Sequence, residues 1–160
     1  MPRIQDLHSY IEVLEDAGQV VRIEQPVSLV HELANVAANV QRQGRGAVFF
    51  EQPEGAEWPV FAGAVGSSTL ASLALECDVS EIIETMGRAL EPTEAIPPQR
   101  VKKADWQQNS VTGDAIDLHQ LPIPTHGLHD GGPFITGGIT IARDPLNGRG
   151  NLSYNRMQVL

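Results

Sequence analysis

The chain has 160 residues, enough for one domain or for one domain plus part of another. Twenty Asp and Glu against eleven Lys and Arg leave a formal charge of −9, which argues against nucleic acid, whose phosphates need clustered positive charge. The composition is 41% hydrophobic without an apolar run near the ~18 residues a membrane span requires, so no transmembrane helix is expected. The opening MPRIQDLHSY also lacks the basic-then-apolar plan of a secretory signal.

In chain order, Asp6 can cap a helix in which Leu7, Tyr10, Ile11 and Leu14 recur at helical spacing, and Gly18 can end it. Val20 to Glu24 is short, β-branched and closed by Pro26, so it reads as a strand. A second helix is expected to carry Val30, Leu33, Ala37 and Val40 on one face, with Gly44 just past its end. Ala47–Glu51, AVFFE, reads as a buried strand, and Val60–Ala64 as another short one. Ser67 and Ser68 offer a cap to a helix ending near Cys77. Asp78 with Glu81 forms a capping box for a helix that clusters Ile82, Ile83, Met86 and Leu90. This succession predicts a small α/β (α+β) layer domain over residues 1–105.

From Glu91 the character changes. Pro92, Pro97 and Pro98 break any helix, and VKKADWQQNS is polar, so a connection out of the first domain is expected. LPIPTHGLHDGGPF holds three prolines and three glycines in 14 residues, an irregular, turn-rich path. Phe134–Arg143 and Asn151–Leu160 have strand character, joined by a hairpin at Asp144-Pro145 and Asn147-Gly148. A hairpin is marginal by itself, so this second unit, residues 106–160, is expected to continue beyond Leu160.

Several residues could carry chemistry. His126, His129 and Asp130 form H-x-x-H-D, either a zinc or iron site or a turn stabilised by Asp and Gly. Gly137-Gly138 inside a strand pattern marks either a bulge or a place where a ligand meets the backbone. Arg156 can close on a carboxylate or phosphate with its planar fork, and Asn151 can offer an amide oxygen to a hard cation; a solvated strand face is the alternative for both. A lone Cys77 cannot form an internal disulfide, so it reads as a packing residue in a reducing cytoplasm. The glycine-rich stretches match neither G-x-G-x-x-G nor a Walker loop, and no G-x-S-x-G elbow is present.

HDGGPFITGGITIARDP followed by GRGNLSYNRMQV resembles the signature of the UbiD family, in which D-G-G-P-[YF]-I-T leads to R-D-P and the next strand carries N-x-x-x-x-R-x-Q. DLHSYIEVLEDAGQVVRI resembles that family's opening helix and strand. The resemblance runs along essentially the whole chain but covers only the start of the family's usual length.

It implies a lyase: a cytoplasmic, self-associating decarboxylase that uses prenylated FMN and a divalent metal. Its substrate is an aromatic, heteroaromatic or α,β-unsaturated carboxylic acid, and the reaction is non-oxidative and reversible. Asn151 matches a ligand of the metal, usually manganese, which also meets the cofactor phosphate. Leu152 would lend its carbonyl to a neighbouring potassium site. Arg156 matches the arginine of a Glu-Arg-Glu catalytic network beside the flavin, and Thr136 a position near the cofactor. Ser153, Tyr154, Asn155 and Arg156 match backbone that runs along the flavin, Tyr154 and Asn155 only as lining.

The residue types suit the reaction. Carbon dioxide leaves an unstable carbanion unless an electron sink is present; the prenylated flavin would be that sink, delivered by a flavin prenyltransferase. Arg156 would hold the substrate carboxylate and tune a glutamate partner. The second metal-binding histidine, the metal-binding glutamate, both network glutamates and a phosphate-binding lysine are expected beyond Leu160, not at His126 or His129. Residues from about 116 would begin a split β-barrel flavin domain, and these 160 residues alone are expected to be inactive. Two other readings are an ordinary FMN redox protein and a non-catalytic binding or assembly module.

Overall fold

A computed structural model describes residues 4–94, 96–97 and 99–160; Pro98, one of the expected helix breakers, and the first three residues of the N-terminal segment lie outside the described residues. The first helix, α1 (Leu7–Asp16), starts where Asp6 accepts from the Ser9 backbone N–H at 2.8 Å and the Ser9 hydroxyl accepts from the Asp6 N–H at 3.0 Å. This is a capping box with serine in the usual Glu/Gln place. Gly18 leaves the helix at φ 66°, and β1 (Val20–Ile23) follows. Then come α2 (Glu32–Arg42), β2 (Ala47–Phe50), β3 (Val60–Ala62), α3 (Ser68–Ala74) and α4 (Ile82–Ala89). The order of helices and strands matches the reading of the sequence.

Three strands form one sheet in the order β1-β2-β3, with β1 parallel and β3 antiparallel to the central β2. Successive side chains of a strand face opposite sides, and β2 uses this to build two cores. Val48 and Phe50 pack with Val27, Leu33, Ala37 and Val40 under α2. Ala47 packs with Tyr10, Leu14 and Leu70, from α1 and α3, on the other side. The domain is therefore a three-layer α/β/α sandwich, and Ala47, Val48 and Phe50 are fully enclosed. The Tyr10 hydroxyl lies 3.0 Å from the Leu70 carbonyl and 2.5 Å from that of Ala64, so the buried phenol has acceptors.

Two boundaries differ from expectation. Val30 lies before α2, not on its face; it is exposed and bridges to Thr125. His31, at φ 66°, turns the chain between Val30 and the helix, so the helical face starts at Leu33. The third helix stops at Ala74 rather than near Cys77, and Glu76 has left-handed backbone at φ 51°.

The connection after α4 contains only short 3₁₀ turns among the described residues, at Pro92–Glu94, Asp105–Gln108, Gly113–Ala115 and Leu118–Gln120. It is tied back to the first domain where Thr125 N–H donates to the Leu29 carbonyl at 3.0 Å and His31 N–H to the Thr125 carbonyl at 2.9 Å. Each of the two long strands expected at the C-terminal end is divided. The first becomes β4 (Phe134–Ile135) and β5 (Ile139–Arg143); the second becomes β6 (Gly150–Tyr154) and β7 (Met157–Gln158). β5 and β6 form the expected hairpin, while β4 pairs antiparallel with β7. Asp144 shapes the hairpin turn by accepting from the Leu146 N–H at 2.8 Å and the Asn147 amide at 2.6 Å.

Candidate functional site

The two interrupted strands break opposite one another. Thr136 to Gly138 separates β4 from β5, and Asn155-Arg156 separates β6 from β7. The Asn155 N–H reaches the Gly138 carbonyl at 3.4 Å across the break. The two glycines read as bulge or ligand platform play different parts. A Cβ at Gly138 would press on the terminal methyl of Met157 and on Ile135, so Gly138 lies in a packed spot that a side chain could enter only if Met157 shifted. A Cβ at Gly137 would meet nothing within 4 Å, so open space adjoins the backbone there.

Arg156 lies in this gap, not within a strand as the sequence suggested. Its guanidinium carbon sits 3.7 Å from the centre of the Phe134 ring, a cation–π stack. Its Nη2 is 2.6 Å from Asp130 Oδ1, while Asp130 Oδ2 accepts from the Gly127 N–H at 2.7 Å. These two donors, Arg156 first, hold the Asp130 carboxyl below its ordinary range.

This engagement answers the H-x-x-H-D motif. Asp130 is committed to Arg156, His129 is exposed, and His126 lines a cleft instead. Among the described residues no three His, Cys, Asp or Glu side chains converge as a metal site. The turn is held by Asp130, whose carboxylate takes the Gly127 N–H. The cleft, about 460 Å³, runs between β3 and the Pro122–Thr136 region and is lined by Leu33, Phe61, Ile123, His126 and Phe134.

The remaining expected site residues fall on or beside β6. Asn151 is exposed and pairs with Ala142; Leu152 is exposed opposite Ile141; Tyr154 is exposed opposite Ile139. Ser153 is half-buried, and its hydroxyl accepts from the Asn155 side-chain amide at 2.9 Å. Thr136 is exposed at the mouth of the cleft. Thr136, Ser153 and Arg156 thus flank the double break, with Asn151 and Leu152 further along the hairpin.

Hydroxyls, an amide and a cation beside the open backbone at Gly137 are a donor set that fits one wall of an anionic, planar flavin. Toward a divalent cation the fit is partial. Asn151 offers one amide oxygen, whereas such ions take about six ligands. Sequence reasoning missed Phe134 as the platform under Arg156 and Asp130 as its partner. No local pattern joins residues so far apart in the chain.

Residues 11–90 match the family model for the 3-octaprenyl-4-hydroxybenzoate carboxy-lyase N-terminal domain, and residues 99–160 match that for the carboxy-lyase's Rift-related domain. The chain belongs to the UbiD family. Among curated proteins, one from Rhodospirillum rubrum described as an uncharacterized protein in the cooM 5′ region is 34% identical over 157 residues, covering 98% of this chain and 34% of that protein. The UbiD-class enzyme HmfF from Pelotomaculum thermopropionicum, solved in an evolved dimeric form in complex with prFMN, is 33% identical, with a TM-score of 0.83 over 95% of this chain and 35% of that one. The vanillic acid decarboxylase of Sedimentibacter hydroxybenzoicus in open form is 27% identical, with a TM-score of 0.87 over 99% of this chain and 36% of that one. The chain thus spans about a third of the length of these relatives.

Proposed function

We propose that this chain supplies the N-terminal domain and part of the catalytic site of a reversible, non-oxidative decarboxylase. Its substrate would be an aromatic, heteroaromatic or α,β-unsaturated carboxylic acid. The observation that carries this reading is the 33% identity to HmfF in complex with prFMN, maintained across 95% of the chain. Residues 106–160 would open a split-barrel flavin domain, and residues 1–105 would form the layer domain that buttresses it.

Prenylated FMN, when bound, supplies the electron sink that the departing carbon dioxide requires. The residues of this chain would hold and orient. Asn151 would donate its amide oxygen to manganese, and the Leu152 carbonyl would face potassium. Thr136 and the backbone of Ser153, Tyr154 and Asn155 would line the flavin. Arg156 would be the catalytic residue contributed by this chain. Half of its side chain is exposed, 48%, so its guanidinium can meet a substrate carboxylate. The same positive charge would favour the ionised form of a glutamate next to it.

A flavin prenyltransferase would provide the cofactor, and the lone Cys77 suits a cytoplasmic setting. Among the described residues no helix is long and apolar enough to cross a membrane. The assembly would be a homo-oligomer, as the dimeric HmfF form suggests.

The test is to co-express the full-length protein carrying this chain with a flavin prenyltransferase and to follow carbon dioxide release from a panel of such acids. Release that depends on the prenyltransferase is the expected result. Retention of unmodified FMN with redox turnover would replace this reading with an ordinary flavoprotein. Absence of any flavin would favour a binding or assembly module.

A further inference from the structure

Arg156 occupies a stretch of backbone that no strand ladder secures, yet its head group is held on two sides. The carboxylate of Asp130 meets one end of the fork at 2.6 Å, and the Phe134 ring lies under the guanidinium plane at 3.7 Å. Asp130 is itself fixed, because its second oxygen takes the Gly127 N–H at 2.7 Å. Its side chain is only 17% exposed, whereas the two carboxylates that clasp Arg22 are 36% and 35% exposed. The carboxylate of this pair is therefore less open to water than either partner of Arg22, while Arg156, at 48%, is about as exposed as Arg22 at 45%. Pairing of Phe134 with Gln158 and Ile135 with Met157 brings the loop and the arginine together.

We infer that Asp130 is a positioning residue for Arg156, clamping its guanidinium against Phe134 so that the free edge of the fork is presented in one orientation. The inference rests on the decarboxylase reading and deepens it. A flexible arginine must lose rotamer freedom each time it engages a carboxylate. A guanidinium already ordered by a carboxylate at one edge and a ring below loses less, and misplacement of a catalytic group by about 1 Å can cost roughly a hundredfold in rate. Asp130 does this without touching substrate or flavin; it acts through Arg156. The D-G-G-P-F segment then has a mechanical role, with its aspartate and its phenylalanine as the two jaws of the clamp.

The experiment compares wild type, Asp130→Asn, Asp130→Glu and Phe134→Leu in the full-length protein. Two quantities are read: steady-state kinetics with bound flavin measured by absorbance, and the rate at which phenylglyoxal modifies Arg156 in the flavin-free protein, followed by peptide mass. In Asp130→Asn, kcat should fall about a hundredfold with flavin content unchanged, and Arg156 should be modified severalfold faster. Asp130→Glu should recover part of the loss. Phe134→Leu, which keeps an apolar side chain on β4, should also speed modification. An unchanged kcat, a loss that only follows flavin content, or an unaltered modification rate in Asp130→Asn would overturn the inference. A wild type that releases no carbon dioxide, but whose Arg156 is exposed by Asp130→Asn, would defeat the decarboxylase reading and leave the clamp standing.

Discussion

Arg156 and Asn151 separate two kinds of contribution. Under the proposed mechanism, Arg156→Ala in the full-length protein should lower turnover by about 10²–10³-fold or more while flavin stays bound, because a fixed cation facing developing charge would be lost. Asn151→Ala should instead reduce metal and flavin retained after purification, read by elemental analysis and absorbance. Asp130 adds a pH signature. Its folded carboxyl titrates below its ordinary range because of Arg156 and the Gly127 N–H. The stabilisation this represents is fully present above the unfolded value, ~3.9, and disappears as pH falls through the lowered folded value. In urea titrations wild type should exceed Asp130→Asn in stability at neutral pH, and the difference should shrink below about pH 4. Gly46 shows a different constraint. At φ 95°, a Cβ there would strike the backbone of Gln19, where β1 and β2 begin side by side. Gly46→Ala should cost ~1–3 kcal/mol or more of stability by chemical denaturation.

At the scale of elements, burial divides the helices and strands sharply. β2 is enclosed from both sides, so Phe50→Ala should destabilise the fold by ~3–5 kcal/mol, through lost contacts and the cavity left behind. The stripe Ile83, Met86 and Leu90, along α4 and its C-cap, has the periodicity of a core-facing helix, yet Ile83 is 87% and Leu90 81% exposed. Ile83→Ser should therefore change the stability of this chain by no more than ~0.5 kcal/mol in the same assay. Helical periodicity identified the element correctly and said nothing of what covers it. The hairpin β5–β6 is similar. Its alternation and Asp-Pro and Asn-Gly turn are local features, legible from sequence, while Ile141 remains 80% exposed in a two-stranded ribbon. Val30 departs from its expected place for a related reason: its spacing suits the α2 face, but the Val30–Thr125 bridge and the turn at His31 draw it out of the helix.

For the whole molecule, the first domain has a closed core, with one hydrophobic cluster on each face of its sheet. The residues assigned to catalysis lie instead on an exposed ribbon and its neighbouring gap. Asn151 and Arg156 are two members of a site that, in the proposed mechanism, also needs glutamates, a histidine and a lysine from elsewhere. The 160-residue chain reconstituted with cofactor should accordingly show no turnover above buffer, whereas the full-length protein should show it. Turnover by the short chain would mean that Arg156 and Asn151 suffice, and the partial-site proposal would fail.

Local chemistry carried much of this into the sequence. The Asp6 and Ser67 caps, the β-branched and aromatic run of β2 and the Asn-Gly turn each act within a few residues, so their elements could be read directly. The D-G-G-P-F-I-T and N-x-x-x-x-R-x-Q segments likewise identified the UbiD family, because they fix residue type at fixed spacing within a short window. Tertiary structure alone decided that Gly138 lies against Met157 and Ile135 while Gly137 adjoins open space, and that Asp130 pairs with Arg156. Those outcomes depend on the register of β4 against β7, which brings Phe134 opposite Gln158. Pairing at that separation is set by how the chain closes on itself, and a short window of residues contains no trace of it.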